Sequence, residues 1–216
     1  MFITLEGPEG SGKSTQIKRL AKRLEEMGYS VITTREPGGT PIGDQIRQVL
    51  VRMENKELHP RTEILLFLAA RAQLVEQVIK PALQDGKIIL CDRYGDSTLA
   101  YQGYGHGLDL EQLRRMLDFA TDHLQPDLTI LLDLDVKTGL MRKKAEDEWN
   151  RLDDYEALFH ERVRDGYLQL AREEPERWRI VDASQTIDSV QEDLFRIILD
   201  ALENQKMTDQ PIKRIG

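Results

Sequence analysis

The 216-residue sequence predicts a three-layer α/β fold, a five-stranded parallel sheet flanked by helices. Three observations carry that expectation. Short β-branched or aliphatic runs alternate with longer amphipathic segments, the pattern of parallel strands joined by helical crossovers. Five such runs stand out: FITLE, SVITTR, KIILCD, DLTILLDL and RWRIVD. The first of them leads into a glycine-rich loop and then an amphipathic segment, in the order strand, loop, helix.

The elements follow in turn. The first helix is expected from about Ser14, because Ile17, Leu20, Ala21, Leu24 and Met27 recur at helical spacing. Gly28 supplies its left-handed C-terminal cap. Further helices are expected from Ile42 to Leu50, Arg61 to Gln84, Asp109 to Asp122, Asp154 to Glu173 and Thr186 to Glu203. The segment 136–156 is dense in both charge signs with only a thin apolar stripe, and reads as a mobile helical lid. Residues 205–216 lack periodicity and read as a frayed tail, leaving 1–204 as one domain.

With 30 basic and 38 acidic residues the chain carries a formal charge of -8, which argues against a general nucleic-acid or membrane-surface binder. An anionic ligand must therefore meet a local basic cluster. No charged leader precedes an apolar stretch, and the run Ile64 to Ala70 is too short to cross a bilayer, so a soluble cytoplasmic protein is expected. The single cysteine, Cys91, cannot form an intrachain disulfide, which fits a reducing compartment. The four histidines show no ligand spacing.

The stretch GPEGSGKST supplies Gly7, Pro8, Glu9, Gly10, Ser11, Gly12, Lys13, Ser14 and Thr15, and satisfies Gly-x-x-x-x-Gly-Lys-Ser between strand and helix. Glycines let successive N–H groups face inward, and the helix N-terminus adds partial positive charge, so the concavity suits a polyphosphate such as ATP. Lys13 is placed to reach the β- and γ-phosphates and the Ser14 hydroxyl to hold Mg²⁺. The loop alone leaves motors, switches and kinases open. The third strand ends in Asp92 and Arg93, at the carboxyl edge of the sheet where open α/β folds bind ligands. Asp92 could polarise a metal's water shell or orient an acceptor, and the Arg93 fork could bridge two anionic groups.

Together, EGPEGSGKST, TTREPGGTPIG, FLAARAQ, DRYGDSTLAYQGYG and PDLTILLDL resemble the bacterial thymidylate kinases, from Ile3 to about Leu170. The resemblance implies a P-loop kinase fold, a homodimer, and transfer of the ATP γ-phosphate to dTMP in dTTP synthesis. It implies that Phe67 and Arg71, four apart on one helical face, address the thymine, and that Arg35 secures the acceptor phosphate or its surroundings. Thr98 and Tyr101 would line the base and deoxyribose, with Tyr101 crowding a 2′-hydroxyl, and Ser97 and Gln102 beside them are further dTMP-binding candidates. Glu9 would approach the sugar 3′-hydroxyl and the metal region, so that Ser14, Asp92 and Glu9 make up the expected Mg²⁺ set. Arg142 and Arg151 are the expected lid arginines, joined by Asp153 at the lid's end, and Asp182 to Ile187 would surround adenine. The dimer surface is expected on the long apolar helix from Ile64 to Ile79.

Overall fold

The structure is a computed structural model that describes residues 1–145 and 149–208, the side chains of 205–208 excepted. Its five strands are β1 (Phe2–Glu6), β2 (Val31–Arg35), β3 (Ile88–Asp92), β4 (Leu128–Asp133) and β5 (Trp178–Asp182). They form one parallel sheet in the order β2-β3-β1-β4-β5. Every residue of β1 is buried, because helices cover both faces of a central strand, and its sequence is correspondingly a near-continuous apolar run. From β1 the chain moves outward to β2, back to β3, and then across to β4. That reversal opens a crevice at the carboxyl ends of β1, β3 and β4.

On one face, α1 (Lys13–Glu26) and α9 (Ile187–Thr208) pack Ile17, Leu20 and Leu24 against Val190, Leu194 and Ile198 over Ile3, Leu5, Ile130 and Leu132. The α1 register is the expected one, and Gly28 takes the left-handed conformation (φ 87°) just beyond it. The other face carries α2 (Pro41–Val51), α3 (Pro60–Leu74), α6 (Leu110–Thr121) and α8 (Ala157–Glu173). Here Ile64, Leu68, Leu113, Leu117, Val163 and Tyr167 close on Leu131 and Trp178. Thr40 caps α2 by accepting from Gly43 N, and Asp109 caps α6 by accepting from Gln112 N.

The expected helix from Arg61 to Gln84 is α3, a π-helical turn at Val75–Ile79, and α4 (Lys80–Gln84). Its apolar residues Ile64, Leu68, Leu74, Val75 and Ile79 are buried within the chain, so of this helix's apolar residues it is Leu65, 58% exposed, that an intermolecular contact could use. The sequence reading assigned no helix to α5 (Gly95–Thr98) and the π-helical turn Leu99–Gly105 that continues it. That stretch is rich in glycine, tyrosine and polar residues, and tertiary partners rather than helical periodicity hold it.

The expected lid is better anchored than its charge density suggests. Its first part forms α7 (Val136–Ala145), with Val136 and Gly139 buried, and its far end buries Arg151 and Asp153. A Cβ at Gly139 would overlap the Glu9 carbonyl, and one at Gly10 would overlap the Gly139 carbonyl, so α7 rests backbone to backbone on the glycine-rich loop. Residues 146–148 of the expected lid and 209–216 of the expected tail lie outside the described residues.

Gly139→Ala should separate α7 from the loop, since two main chains cannot relieve the overlap by changing rotamer. The expected loss is about 1–3 kcal/mol, read as a lowered thermal midpoint. Gly95→Ala, whose added methyl would make only ordinary contacts with Leu117, should leave the midpoint nearly unchanged.

Candidate functional site

Between β1 and α1 the glycine-rich loop curls around the side chain of Lys13. The Lys13 ammonium donates to the carbonyls of Gly7 (3.1 Å) and Pro8 (3.0 Å) and to Ser11 Oγ (3.1 Å). Burial first, and then repulsion by Arg93, bring its pKa down to about 8. Gly12, Ser14 and Thr15 are exposed at the start of α1, whose first N–H groups lack intrahelical acceptors. The loop thus presents both an ammonium and a helix N-terminus to one concavity.

Arg93 follows β3 and projects across the crevice to this loop. Its Nη2 donates to Glu9 Oε1 (2.8 Å) and its Nη1 to the Tyr167 hydroxyl (2.9 Å), while the guanidinium carbon lies 4.9 Å from the Tyr101 ring centre. The Tyr101 hydroxyl donates to the same Glu9 oxygen at 2.6 Å. Burial pushes the Glu9 carboxyl up, but Arg93, Lys13 and the Tyr101 hydroxyl outweigh it and bring it down to about 2. Glu9 is therefore ionised at neutral pH, and it locks Arg93 and Tyr101 to the phosphate loop.

A second guanidinium reaches the crevice from α2, and the sequence reading missed it. Arg47 is half-buried and donates from Nη1 to the Pro37 carbonyl (3.1 Å). Burial lowers its pKa and Arg35 adds to that, while Asp92 and Asp44 oppose it and Arg93 is close enough to be felt. A signal was available, for Arg47 is four residues after Gly43 and three before Leu50, the two buried residues of α2. A cation on the inward face of a helix calls for an anion.

Arg71 on α3 is fully buried, 1% exposed, and its fork is turned into the protein. Nε donates to Glu36 Oε2 (2.7 Å), Nη1 to Thr98 Oγ1 (2.9 Å) and Nη2 to the Tyr94 carbonyl (3.0 Å). Glu36 comes from the turn after β2, so one guanidinium ties three segments of the crevice wall together. Phe67 stands half-buried one turn before Arg71.

A loop holding a lysine, with an arginine at the strand end beside it and both facing one crevice, is the frame of a nucleotide kinase. The family model of thymidylate kinase matches residues 5–194. The chain belongs to the thymidylate kinase family. It is 53% identical over 195 residues to a thymidylate kinase of Syntrophotalea carbinolica, covering 88% of this chain and 90% of that one. A thymidylate kinase of Roseiflexus castenholzii is 50% identical over 211 residues, with 92% of each chain covered. The crystal structure of thymidylate kinase from Ehrlichia chaffeensis superposes with a TM-score of 0.74 at 35% identity, covering 92% of this chain and 98% of that chain. The five-stranded sheet described above is thus the P-loop kinase fold of this thymidylate kinase family.

Four expected residues of this family member have their side chains engaged within the protein. Arg35, the last residue of the edge strand β2, is exposed and faces Asp44 at 3.6 Å, on the same sheet face as Asp92, with which it is in register, and close enough to Arg47 to repel it. Arg142 donates from Nη1 to the Ala183 carbonyl (3.1 Å), which sets it beside the segment 182–187. Arg151 is buried and donates to the Leu50 carbonyl (2.7 Å), the Tyr155 hydroxyl (3.0 Å) and Glu63 Oε2. Gln102 donates to Glu63 Oε1 (2.9 Å). Burial pushes the Glu63 carboxyl up, but His106, Arg151 and Gln102 bring it down to about 2. Arg151 and Gln102 are held by this one carboxylate.

Asp153 accepts from Asn150 N (2.9 Å) through Oδ2, while Oδ1 is buried with no partner among the described residues. Burial first, and then the charge of Glu9, push it up to about 6, which sets it on the Glu9 side of the crevice. Ser97 donates to Glu6 Oε2 (2.6 Å). Of the expected Mg²⁺ set, Ser14 Oγ donates to Asp92 Oδ2 at 2.5 Å, an exposed hydroxyl–carboxylate pair whose oxygens fit a hard cation. Glu9 does not join that pair, being held by Arg93 and Tyr101. Among the described residues no three His, Cys, Asp or Glu side chains come together as a metal cluster, and no helix is long and apolar enough to cross a membrane.

Removing Arg71 would leave Glu36 buried without its cation, so Arg71→Ala should lose about 3–5 kcal/mol in urea denaturation. Adding Glu36→Gln to the same chain should restore part of that loss, giving a non-zero coupling energy in the double-mutant cycle.

Proposed function

We propose that the chain transfers the γ-phosphate of ATP to dTMP, giving dTDP and ADP on the way to dTTP for DNA replication. The observation that carries this reading is Arg93 fixed beside Lys13, with Arg47 close enough to Arg93 to feel its charge. Three cations converging on one crevice suit two substrates that each bring phosphate.

Backbone N–H groups from Gly7 to Thr15 hold the ATP phosphates, and Lys13 exchanges the Gly7 and Pro8 carbonyls for phosphate oxygens. Ser14 and Asp92 would hold Mg²⁺, which supplies neutralisation of the donor phosphates. Arg93 spans the transferring group and the acceptor phosphate, and Arg47 holds the acceptor phosphate from the α2 side, the role the sequence reading gave to Arg35. The acceptor oxygen is already an anion, so positioning and charge suffice without a general base. Phe67 offers a flat face to the thymine. Arg71, Thr98 and Gln102 shape that pocket as a connected polar wall. Tyr101, fixed through Glu9, crowds the place of a ribose 2′-hydroxyl, and Glu9 with Asp153 faces the sugar. Arg142 lies toward the donor base, and Arg151 anchors the lid's end, so the lid's positive charge acts mainly by closing the site against water.

Residues 1–204 form a single domain with 136–156 as its lid, and the protein works in the cytoplasm without nucleic-acid or membrane partners. A homodimer is supported by the resemblance and by Leu65 on α3 and Phe119 on α6, which stand 58% and 91% exposed on neighbouring helices.

ADP release from ATP and Mg²⁺ should be fast with dTMP, weaker with dUMP, and near background with dCMP, dGMP, AMP, thymidine or no acceptor. Steady hydrolysis without an acceptor would defeat the kinase reading. Arg47→Ala should raise KM for dTMP by at least about tenfold, the scale of a hydrogen bond to a charged group, with KM for ATP changed less. Arg35→Ala should change either constant by no more than about twofold, as exposed ion pairs contribute little.

A further inference from the structure

We infer that Glu6 is a positioning residue for Arg93, holding the Tyr167 and Ser97 hydroxyls so that their lone pairs face the Arg93 guanidinium. Its consequence for turnover rests on the kinase reading above. The positioning itself rests on geometry.

Glu6 ends β1 and is fully buried, 0% exposed, with no path to a substrate. A buried carboxylate is commonly matched or bettered in stability by an apolar residue of similar size, so its presence here asks for a task. Both its oxygens are occupied. Oε1 accepts from Tyr94 N at 2.7 Å, and Oε2 accepts from Ser97 Oγ at 2.6 Å and from the Tyr167 hydroxyl at 2.9 Å. The two hydroxyls lie 2.7 Å apart, and Arg93 Nη1 approaches them at 2.9 Å (Tyr167) and 3.4 Å (Ser97).

An ionised carboxylate can only accept, and a guanidinium can only donate. Each hydroxyl between them carries one proton. Whether each donates to Glu6 directly or Tyr167 donates through Ser97, the protons run toward Glu6 and the lone pairs toward Arg93. The bond from Tyr94 N adds a second hold, on the backbone. It pins the peptide that follows Arg93, whose φ of 69° lies in the left-handed region that non-glycine residues seldom adopt. Glu6 thus fixes Arg93 from its main chain and from its side chain.

Protonated Glu6 would reverse one link of this chain. A carboxylic acid must direct its own O–H at an acceptor, which turns a hydroxyl proton toward Nη1, where donor meets donor. Burial first, and then Asp96, raise the Glu6 pKa to about 7, against Arg93, the Ser97 hydroxyl and Tyr94 N. Lys13, Arg71, the Tyr167 hydroxyl and the Cys91 thiol also lie within its field. The positioning form prevails above about 7 and is lost as pH falls. Because the folded pKa lies above the ordinary value of 4.5, protonation between 7 and 4.5 favours the folded state. Glu6 therefore makes turnover and stability move in opposite directions over that range, which a merely structural carboxylate would not do.

Glu6→Gln keeps the shape and removes the acceptor-only character. With dTMP as acceptor it should lower kcat about tenfold, the scale of a hydrogen bond to a charged group, while KM for ATP stays within about twofold. The acid limb of the kcat profile near pH 7 should disappear, and the thermal midpoint at pH 8 should not fall. In the free protein the Arg93 Nε–H resonance should titrate near pH 7 in the parent chain and stay flat in Glu6→Gln. Should Glu6→Gln fail to fold, Tyr167→Phe should lower kcat in the same direction with a displaced Arg93 resonance. An unchanged kcat and resonance in that variant would overturn the inference. So would a Glu6→Gln enzyme that keeps its acid limb, or one whose Arg93 resonance still titrates. If the parent chain uses no dTMP, the kinase reading fails by itself, and the resonance titration alone decides the role of Glu6.

Discussion

The contact between Arg93 and Glu9 is the one on which the two halves of the crevice depend. It joins the end of β3 to the loop after β1, and it brings Tyr101 and Tyr167 with it. A guanidinium free in water would be a mobile, hydrated cation. Enclosed between a carboxylate and two tyrosines, it is a fixed charge whose orientation is settled before a substrate arrives, and such preorganisation is what electrostatic catalysis requires. The same contact has a cost, since both partners leave water. The surrounding hydroxyls meet that cost by satisfying the donors that Glu9 cannot reach.

A second layer supports the first. Glu36 holds Arg71, Glu63 holds Arg151 and Gln102, and Asp96 holds Arg177 through Nη1 at 2.7 Å. Each pair is buried or nearly so, and each links segments far apart in the chain. The interior on this side of the sheet is therefore stitched by ion pairs as well as packed by apolar side chains. The opposite side, between α1, α9 and the sheet, is built almost wholly from aliphatic residues. This division matches the task of each face, because only one of them has to orient polar ligands.

Much of this was legible in the sequence. The five strands were, because two-sided burial leaves β1, β3 and β4 as unbroken apolar runs, and the loop was, because its glycines and lysine have fixed spacing. Phe67 and Arg71 were correctly placed on one helical face, but the turning of the Arg71 fork into Glu36 depends on a residue 35 positions away, beyond any local pattern. Arg35 sits in a suggestive motif, yet its exposed side chain turns to Asp44, while the half-buried cation beside it is Arg47 on the next helix. Arg142 and Arg151 belong to a charge-rich stretch that reads as a solvated flap, and nothing local reveals that Ala183 and Glu63 receive them.

The bare meeting of Gly10 and Gly139 carries a consequence for how this protein can change. Two main chains in direct contact leave no side chain to absorb a neighbour's mutation, so neither position can drift by the usual exchange of one residue's bulk for another's. The glycine-rich loop and the start of α7 therefore constrain one another sterically, although about 130 residues separate them along the chain. Side-chain exchange in this region is left to the exposed face of α7, where Met141 meets solvent.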